Sequence, residues 1–318
     1  MSEIEELDLE RIAEEYDTPV FIYEKSKIID QYRRLEKAFS DQMVNFSIHY
    51  AVKANFNPSI VRTLVNEGAG MDCASGPELE LANEIGIDFD HVIYTAPYNR
   101  REEIERAAEL GATVNLDGGY LLDKLDEAPE DICVRIDPGI GKGEGDLVFA
   151  GGDSQFGVHE EEAIETFRRA REMGAETFGL HMMTGSNVRD EEYFGEITAR
   201  LMEIAANISE ELGIEFEFID IGGGLGVPYH PEEDQLDVES VAENVSREFQ
   251  RGVENYDIGD PELRMEPGRF MVAESGYLLT KVTGVKNKGE RRFVGVDTGM
   301  HHIIRPMLLD AYHPIRTL

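Results

Sequence analysis

The stretch Glu215–Gly226, EFEFIDIGGGLG, is a short apolar run that breaks off at three consecutive glycines. Aromatic and β-branched residues in a run of that length fit a strand covered on both faces, and the glycines continue it into a loop with bare backbone. Seven further runs have the same character: Phe46–Val52, Gly70–Cys73, His91–Thr95, Ala112–Leu116, Ile132–Ile136, Thr177–Met182 and Leu263–Glu266. Segments of helical period lie between them. In one, Phe194, Ile197, Leu201, Ile204, Ile208 and Leu212 recur every three or four residues; in another, Ile164, Phe167, Ala170 and Met173 do so. Eight apolar strands alternating with helices predict an α/β protein whose parallel sheet closes into a (β/α)8 TIM barrel, in preference to an open sheet covered on both sides.

Two regions fall outside the alternation. Thr18–Tyr23 (TPVFIY) precedes the first barrel strand, and after Phe270 the chain turns strand-rich, with Tyr277–Val285 and Phe293–Val296 joined by a hairpin turn at Asn287–Gly289. The predicted division is a barrel over 26–270 and a second, incomplete β-sandwich or barrel domain from 1–25 plus 271–318. So few strands are marginal alone, so this unit is expected to be cut short at Leu318 or to depend on a partner.

The 318 residues carry 30 Lys+Arg and 65 Asp+Glu, a formal charge of −35, which excludes a basic nucleic-acid binder. At 41% hydrophobic the chain is too apolar to be disordered. The acids are spread rather than clustered, which fits a halophilic surface better than a dock for one cationic partner. No run is long and apolar enough for a transmembrane helix, and MSEIEELDLERIAEEYD lacks the parts of a secretory signal, so a cytoplasmic location is expected. Cys73 and Cys133 sit singly in apolar runs and read as buried thiols.

Polar residues gather at the ends of the predicted strands, where barrel active sites form: Lys53, Asp72, Asn115, Arg135, His181, Gly222–Gly226 and Glu266–Arg269. Lys53 is either a strand-end lysine reaching solvent or an amine whose pKa burial lowers toward the nucleophilic form. Gly222–Gly226 is either a tight turn or a cradle for phosphate. It is no dinucleotide fingerprint, since the third glycine would fall at Val227, and Gly141–Gly145 lacks the phosphate-loop arrangement. Glu266 and Arg269 are either a surface ion pair or two charges sharing one mouth. No histidine has metal-ligand spacing with carboxylates, and no metal is assigned.

Tyr50–Asn55 (YAVKAN), Asp72–Gly76 (DCASG) with Glu78, His181–Ser186 (HMMTGS), Gly222–Gly224, Glu266–Arg269 (EPGR) and Ile304–Pro306 (IRP) followed by Ala311–His313 (AYH) occur in this order. From about Thr18 to Pro314 the chain resembles the fold-type III pyridoxal-phosphate decarboxylases, and most of all their diaminopimelate-specific branch. The resemblance implies catalytic roles for Lys53, Glu266 and His181. Lys53 would carry pyridoxal 5′-phosphate on its amine, and Glu266 would hydrogen-bond the pyridine nitrogen. Asp72, Glu78 and Arg135 would be supporting charges. Ser186, Gly222, Gly223, Gly224 and Arg269 would bind phosphate, with Pro267, Gly268 and Met183 also against the cofactor. Arg305, with Arg269 and Leu309, would meet the substrate, the guanidinium fork suiting the distal carboxylate of meso-diaminopimelate on its way to L-lysine.

Three departures accompany the resemblance. Met183 stands where relatives place a ring-stacking histidine, Leu309 where they have a tyrosine, and their catalytic cysteine would lie beyond Leu318. In relatives that cysteine enters the partner's site, so a homodimer is implied. The alternatives are a decarboxylase of ornithine, arginine or carboxynorspermidine, or a catalytically impaired cofactor-binding paralogue that regulates an active partner; a racemase fits Arg305 less well.

Overall fold

The computed structural model describes residues 9–317 apart from 44, 143–149 and 153. Helix α1 (Leu9–Tyr16) leads into β1 (Val20–Tyr23), and α2 (Lys25–Ser40) precedes a closed parallel barrel. Its strands are β2 (Phe46–Ala51), β3 (Gly70–Cys73), β4 (Val92–Thr95), β5 (Thr113–Leu116), β6 (Asp131–Ile136), β7 (Thr177–Met182), β8 (Phe218–Asp220) and β9 (Glu262–Met265). Strand β9 bonds back to β2, Phe46 opposite Leu263. All eight expected runs contribute to this one barrel.

Helices α3 (Pro58–Glu67), α4 (Gly76–Ile85) and α5 (Arg101–Leu110) follow β2, β3 and β4, while α6 (Glu160–Glu172), α7 (Glu191–Leu212) and α8 (Val238–Asn255) follow β6, β7 and β8. Their ends are written locally. The Asn57 side chain accepts the Ser59 N–H to start α3, and Gly68, at φ +115°, ends it. The expected helix after β5 is replaced by 3₁₀ turns over Gly119–Lys124. Gly119 lies hard against α6, where a Cβ would stand 2.7 Å from Thr166 Oγ1, and Pro129 closes the link before a helix could develop.

Alternation along each strand sorts side chains between two environments. Ile48, Tyr50, Met71, Tyr94 and Leu180 belong to the buried layer shared with the helices, where Phe167 meets Phe178 and Phe216 edge-on at 5.9 and 5.8 Å. Leu201, Ile204 and Ile208 of α7 are buried in the same layer, each contributing about 1.5–3 kcal/mol. The alternate positions face the lumen and are largely polar. Adjacent registers pair Arg135 with His181, His181 with Asp220, and Asp220 with Arg264, a continuous row across β6 to β9.

The terminal strands differ from expectation in one respect. Tyr277–Val285 is divided into β10 (Gly276–Leu279), which pairs antiparallel with β1, and β11 (Val282–Lys288), which pairs with β12 (Arg291–Val296). The break falls where Asp297 takes the Thr280 hydroxyl at 2.5 Å and the Lys281 N–H at 2.9 Å, while its other oxygen takes the Thr18 hydroxyl at 2.5 Å. The hairpin turn is Gly289–Glu290, one step later than predicted, because Gly289 accepts the positive φ of +63°.

Candidate active site

Lys53 lies in the 3₁₀ turn Val52–Ala54 that continues β2. Its ammonium donates to Oδ2 of Asp72, a fully buried residue on the neighbouring strand, while the lysine side chain itself is 53% exposed. Of the two readings of Lys53, the strand-end lysine that reaches solvent fits the exposed side chain, and the lowered pKa does not fit its surroundings. Burial does pull the ammonium down, but Asp72 and then Glu266 outweigh it and hold Lys53 above its ordinary value. Asp72 is pushed up to about 6 by burial and then by Glu266, against the pull of Lys53.

Glu266 follows β9 and is buried, its N–H bonded to Gly222 O at 2.8 Å. Its Oε2 faces His181 Nε2 at 3.1 Å, and Oε1 is enclosed without a hydrogen-bond partner. Burial would raise this carboxyl, but His181 and Lys53 more than offset that and hold it at about 2. Arg269, next in EPGR, turns instead to Ser186, donating from Nη2 to Oγ at 3.2 Å. The two charges of that motif thus engage different partners: Glu266 turns inward and Arg269 spans to the loop after β7.

Met183, two residues after His181, turns to the glycine loop. Beyond the end of β7, its sulfur accepts the Gly223 N–H at 3.3 Å. The glycine loop is pressed onto the strand ends. A Cβ on Gly222 would lie 2.3 Å from Met182 O, and one on Gly223 2.3 Å from Glu266 O; Pro267 and Gly268 continue the same rim. The Gly222 N–H donates to Asp220 Oδ1 at 2.7 Å. Gly143 and Gly145 of the other glycine-rich stretch lie outside the described residues.

Arg135 is buried, 3.8 Å from Asp117 and 4.8 Å from the Phe156 ring, and burial lowers its pKa. Glu78 accepts the Ala74 N–H at 2.5 Å at the start of α4. Arg305, with Leu309 at the end of its helical turn Arg305–Leu308, reaches the ring of Tyr229 at 4.4 Å and bonds His313 Nε2 at 3.1 Å. Arg269 stands over the same ring at 5.8 Å. Asp117, Asp220 and Tyr229 went unremarked in the sequence. For Asp117 and Asp220 the available signal was a carboxylate ending an apolar strand. For Tyr229 there was none beyond its nearness to the glycines. Both cysteines are free and buried, as expected.

The donor set suits a flat heteroaromatic phosphate ester. A primary amine stands at the rim, a buried anion with an unpartnered oxygen lies below it, and a hydroxyl and guanidinium sit beside a loop that admits no side chains. On a closed parallel barrel these features define a pyridoxal phosphate-dependent barrel enzyme. The family described as pyridoxal-dependent decarboxylase, pyridoxal binding domain, matches residues 25–273. Diaminopimelate decarboxylase of Methanothermobacter thermautotrophicus is 39% identical over 97% of this chain and 73% of its own length, and that of Thermoplasma acidophilum is 37% identical over 97% and 74%. The crystal structure of Helicobacter pylori diaminopimelate decarboxylase complexed with L-lysine superposes with a TM-score of 0.88 at 31% identity, covering 97% of this chain and 77% of that one. The chain belongs to the pyridoxal-dependent decarboxylase family, in its diaminopimelate decarboxylase branch. Among the described residues no helix is long and apolar enough to cross a membrane.

Proposed function

We propose that this chain removes a carboxylate from meso-diaminopimelate to give L-lysine and carbon dioxide. The observation that supports the choice of substrate is that Arg269 and Arg305 both stand over one ring, Tyr229, at 5.8 and 4.4 Å. A cation beside the phosphate-side hydroxyl is thereby kept near a second cation suited to a distal carboxylate.

In this reading Lys53 would hold the cofactor through its amine, Glu266 would take the ring nitrogen, and Ser186 and Arg269 would take the phosphate, with Pro267, Gly268 and Gly222–Gly224 forming the walls. Bound pyridoxal phosphate supplies an electron sink for the pair left when carbon dioxide departs. Asp72 accepts a hydrogen bond from Lys53 Nζ and would hold the amine at the mouth of the barrel. His181 orients Glu266 through the 3.1 Å contact and favours its ionised form. Arg135 and Asp117 form the charged wall beneath. Met183 packs a polarizable thioether beside the glycine loop.

The same reading divides the chain into a cofactor-binding barrel over 26–270 and a β unit from 1–25 plus 271–318. It describes a cytoplasmic homodimer whose even acidic surface suits high salt. Exposed Val282, Val285, Phe293, Val294 and Val296 support an association surface on the β unit. Borohydride reduction of protein loaded with pyridoxal phosphate should leave a stable mass adduct on Lys53. Carbon dioxide release should favour meso-diaminopimelate over lysine, ornithine and arginine. A loaded protein preferring ornithine or arginine would overturn the substrate assignment.

A further inference from the structure

Asp220 ends β8 inside the barrel, in register between His181 and Arg264. It is fully buried, and its Oδ1 accepts the Gly222 N–H at 2.7 Å, a bond that closes the turn into the glycine loop. Its Oδ2 is enclosed without a hydrogen-bond partner. Acid and imidazole atoms of Asp220, Glu266 and His181 all lie within 4.8 Å of one another. Two buried carboxyls that close cannot both ionise cheaply, so one proton is shared out between them.

The surroundings decide which carboxyl holds it. Glu266 has the His181 ring at 3.1 Å and is kept at about 2, burial being outweighed. Both basic groups in register with Asp220 have other partners: His181 Nε2 meets Glu266, while Arg264 Nε donates to Glu262 at 2.6 Å with its guanidinium 3.9 Å over the Phe218 ring. Cys133 and Asp72 supply no positive charge. Burial and then the Glu266 charge push the Asp220 carboxyl well above its ordinary range.

We propose that Asp220 is a positioning residue that works as a neutral, protonated acid: Oδ1 fixes the Gly222 turn beside the phosphate site, and its neutrality leaves the negative charge of this row on Glu266. The proposal rests on the cofactor reading above and adds to it a residue that acts through the Gly222 turn. Asn has the shape of a protonated Asp and retains the Oδ1 acceptor, whereas Ala removes the bond to Gly222.

Pyridoxal phosphate affinity, followed by absorbance after equilibrium dialysis, should therefore weaken about tenfold in Asp220→Ala and be restored to within about twofold of wild type in Asp220→Asn. Independently of any cofactor, the infrared difference spectrum of wild type minus Asp220→Asn at pH 7 should contain the C=O stretch of a protonated carboxylic acid. Carboxylate bands there, Asp220→Asn binding as weakly as Asp220→Ala, or unchanged affinity in Asp220→Ala would each overturn the proposal. Should Asp220→Ala fail to fold, the infrared band and the Asp220→Asn affinity still decide. A wild-type protein that takes up no pyridoxal phosphate sinks the cofactor reading instead, and the infrared result then stands on its own.

Discussion

The barrel strands β2–β9 and the hairpin β11–β12 are built from similar apolar and β-branched residues, yet their environments are opposite. In the barrel, every strand is bonded on both edges and covered by helices, so most of its residues are buried. In the hairpin, each strand has one bonded neighbour and every residue is exposed, Val285 and Val294 included. Strand propensity is shared; what differs is the number of surfaces brought against each strand. The barrel can therefore hold charged groups at fixed distances out of water, which gives Asp72, Glu266 and Asp220 their shifted titrations, and a two-stranded ribbon cannot.

Four measurements would break or sharpen that contrast. Lys53→Ala at the barrel rim should leave the fold intact, abolish the borohydride-fixed adduct and lower turnover by about 10²–10⁴-fold, the range for removing a positioned reacting group; an adduct surviving elsewhere in the chain would refute it. Phe167→Ala in the layer between barrel and helices should cost about 3–5 kcal/mol in urea unfolding, because the ring is fully buried and its T-shaped neighbours cannot close the gap. The third concerns pH. A carboxyl raised from 3.8 to about 6 favours the fold while protonated, so the contribution of Asp72 is present below pH 3.8 and lost as pH rises through about 6. The stability of wild type relative to Asp72→Asn should fall across that window and level off above it. The smallest effect belongs to the hairpin, where Val294→Ser should alter monomer stability by no more than about 0.5 kcal/mol. A larger loss there, growing with protein concentration, would mean that an association covers that face.

Much of the site was legible because motif and element coincide. A lysine after the first barrel strand, an acid on the second, a histidine on the sixth and an acid-bearing turn after the eighth all fall on one rim once the barrel is assumed. The protonation of Lys53 was left open between two readings for a physical reason. Burial is suggested by local sequence, but the two acids that oppose it arrive from the strands on either side, Asp72 from 19 positions away along the chain and Glu266 from after β9, remote in the chain but bonded to β2. Met183 shows the same limit, since its sulfur partner Gly223 lies 40 positions along the chain.

By itself, the amino-acid sequence determined the alternation of strands and helices, the glycine-ended turns and the order of the polar rim residues, because periodicity, capping and backbone freedom act over a few residues. Tertiary structure alone decided that the helix after β5 was lost, where the strand after Phe270 divided, that His181, Asp220 and Glu266 meet in one buried cluster, and that Arg269 and Arg305 share Tyr229. Those outcomes depend on distances between segments remote in the chain, and electrostatic energy in a buried site is set by distance and desolvation together.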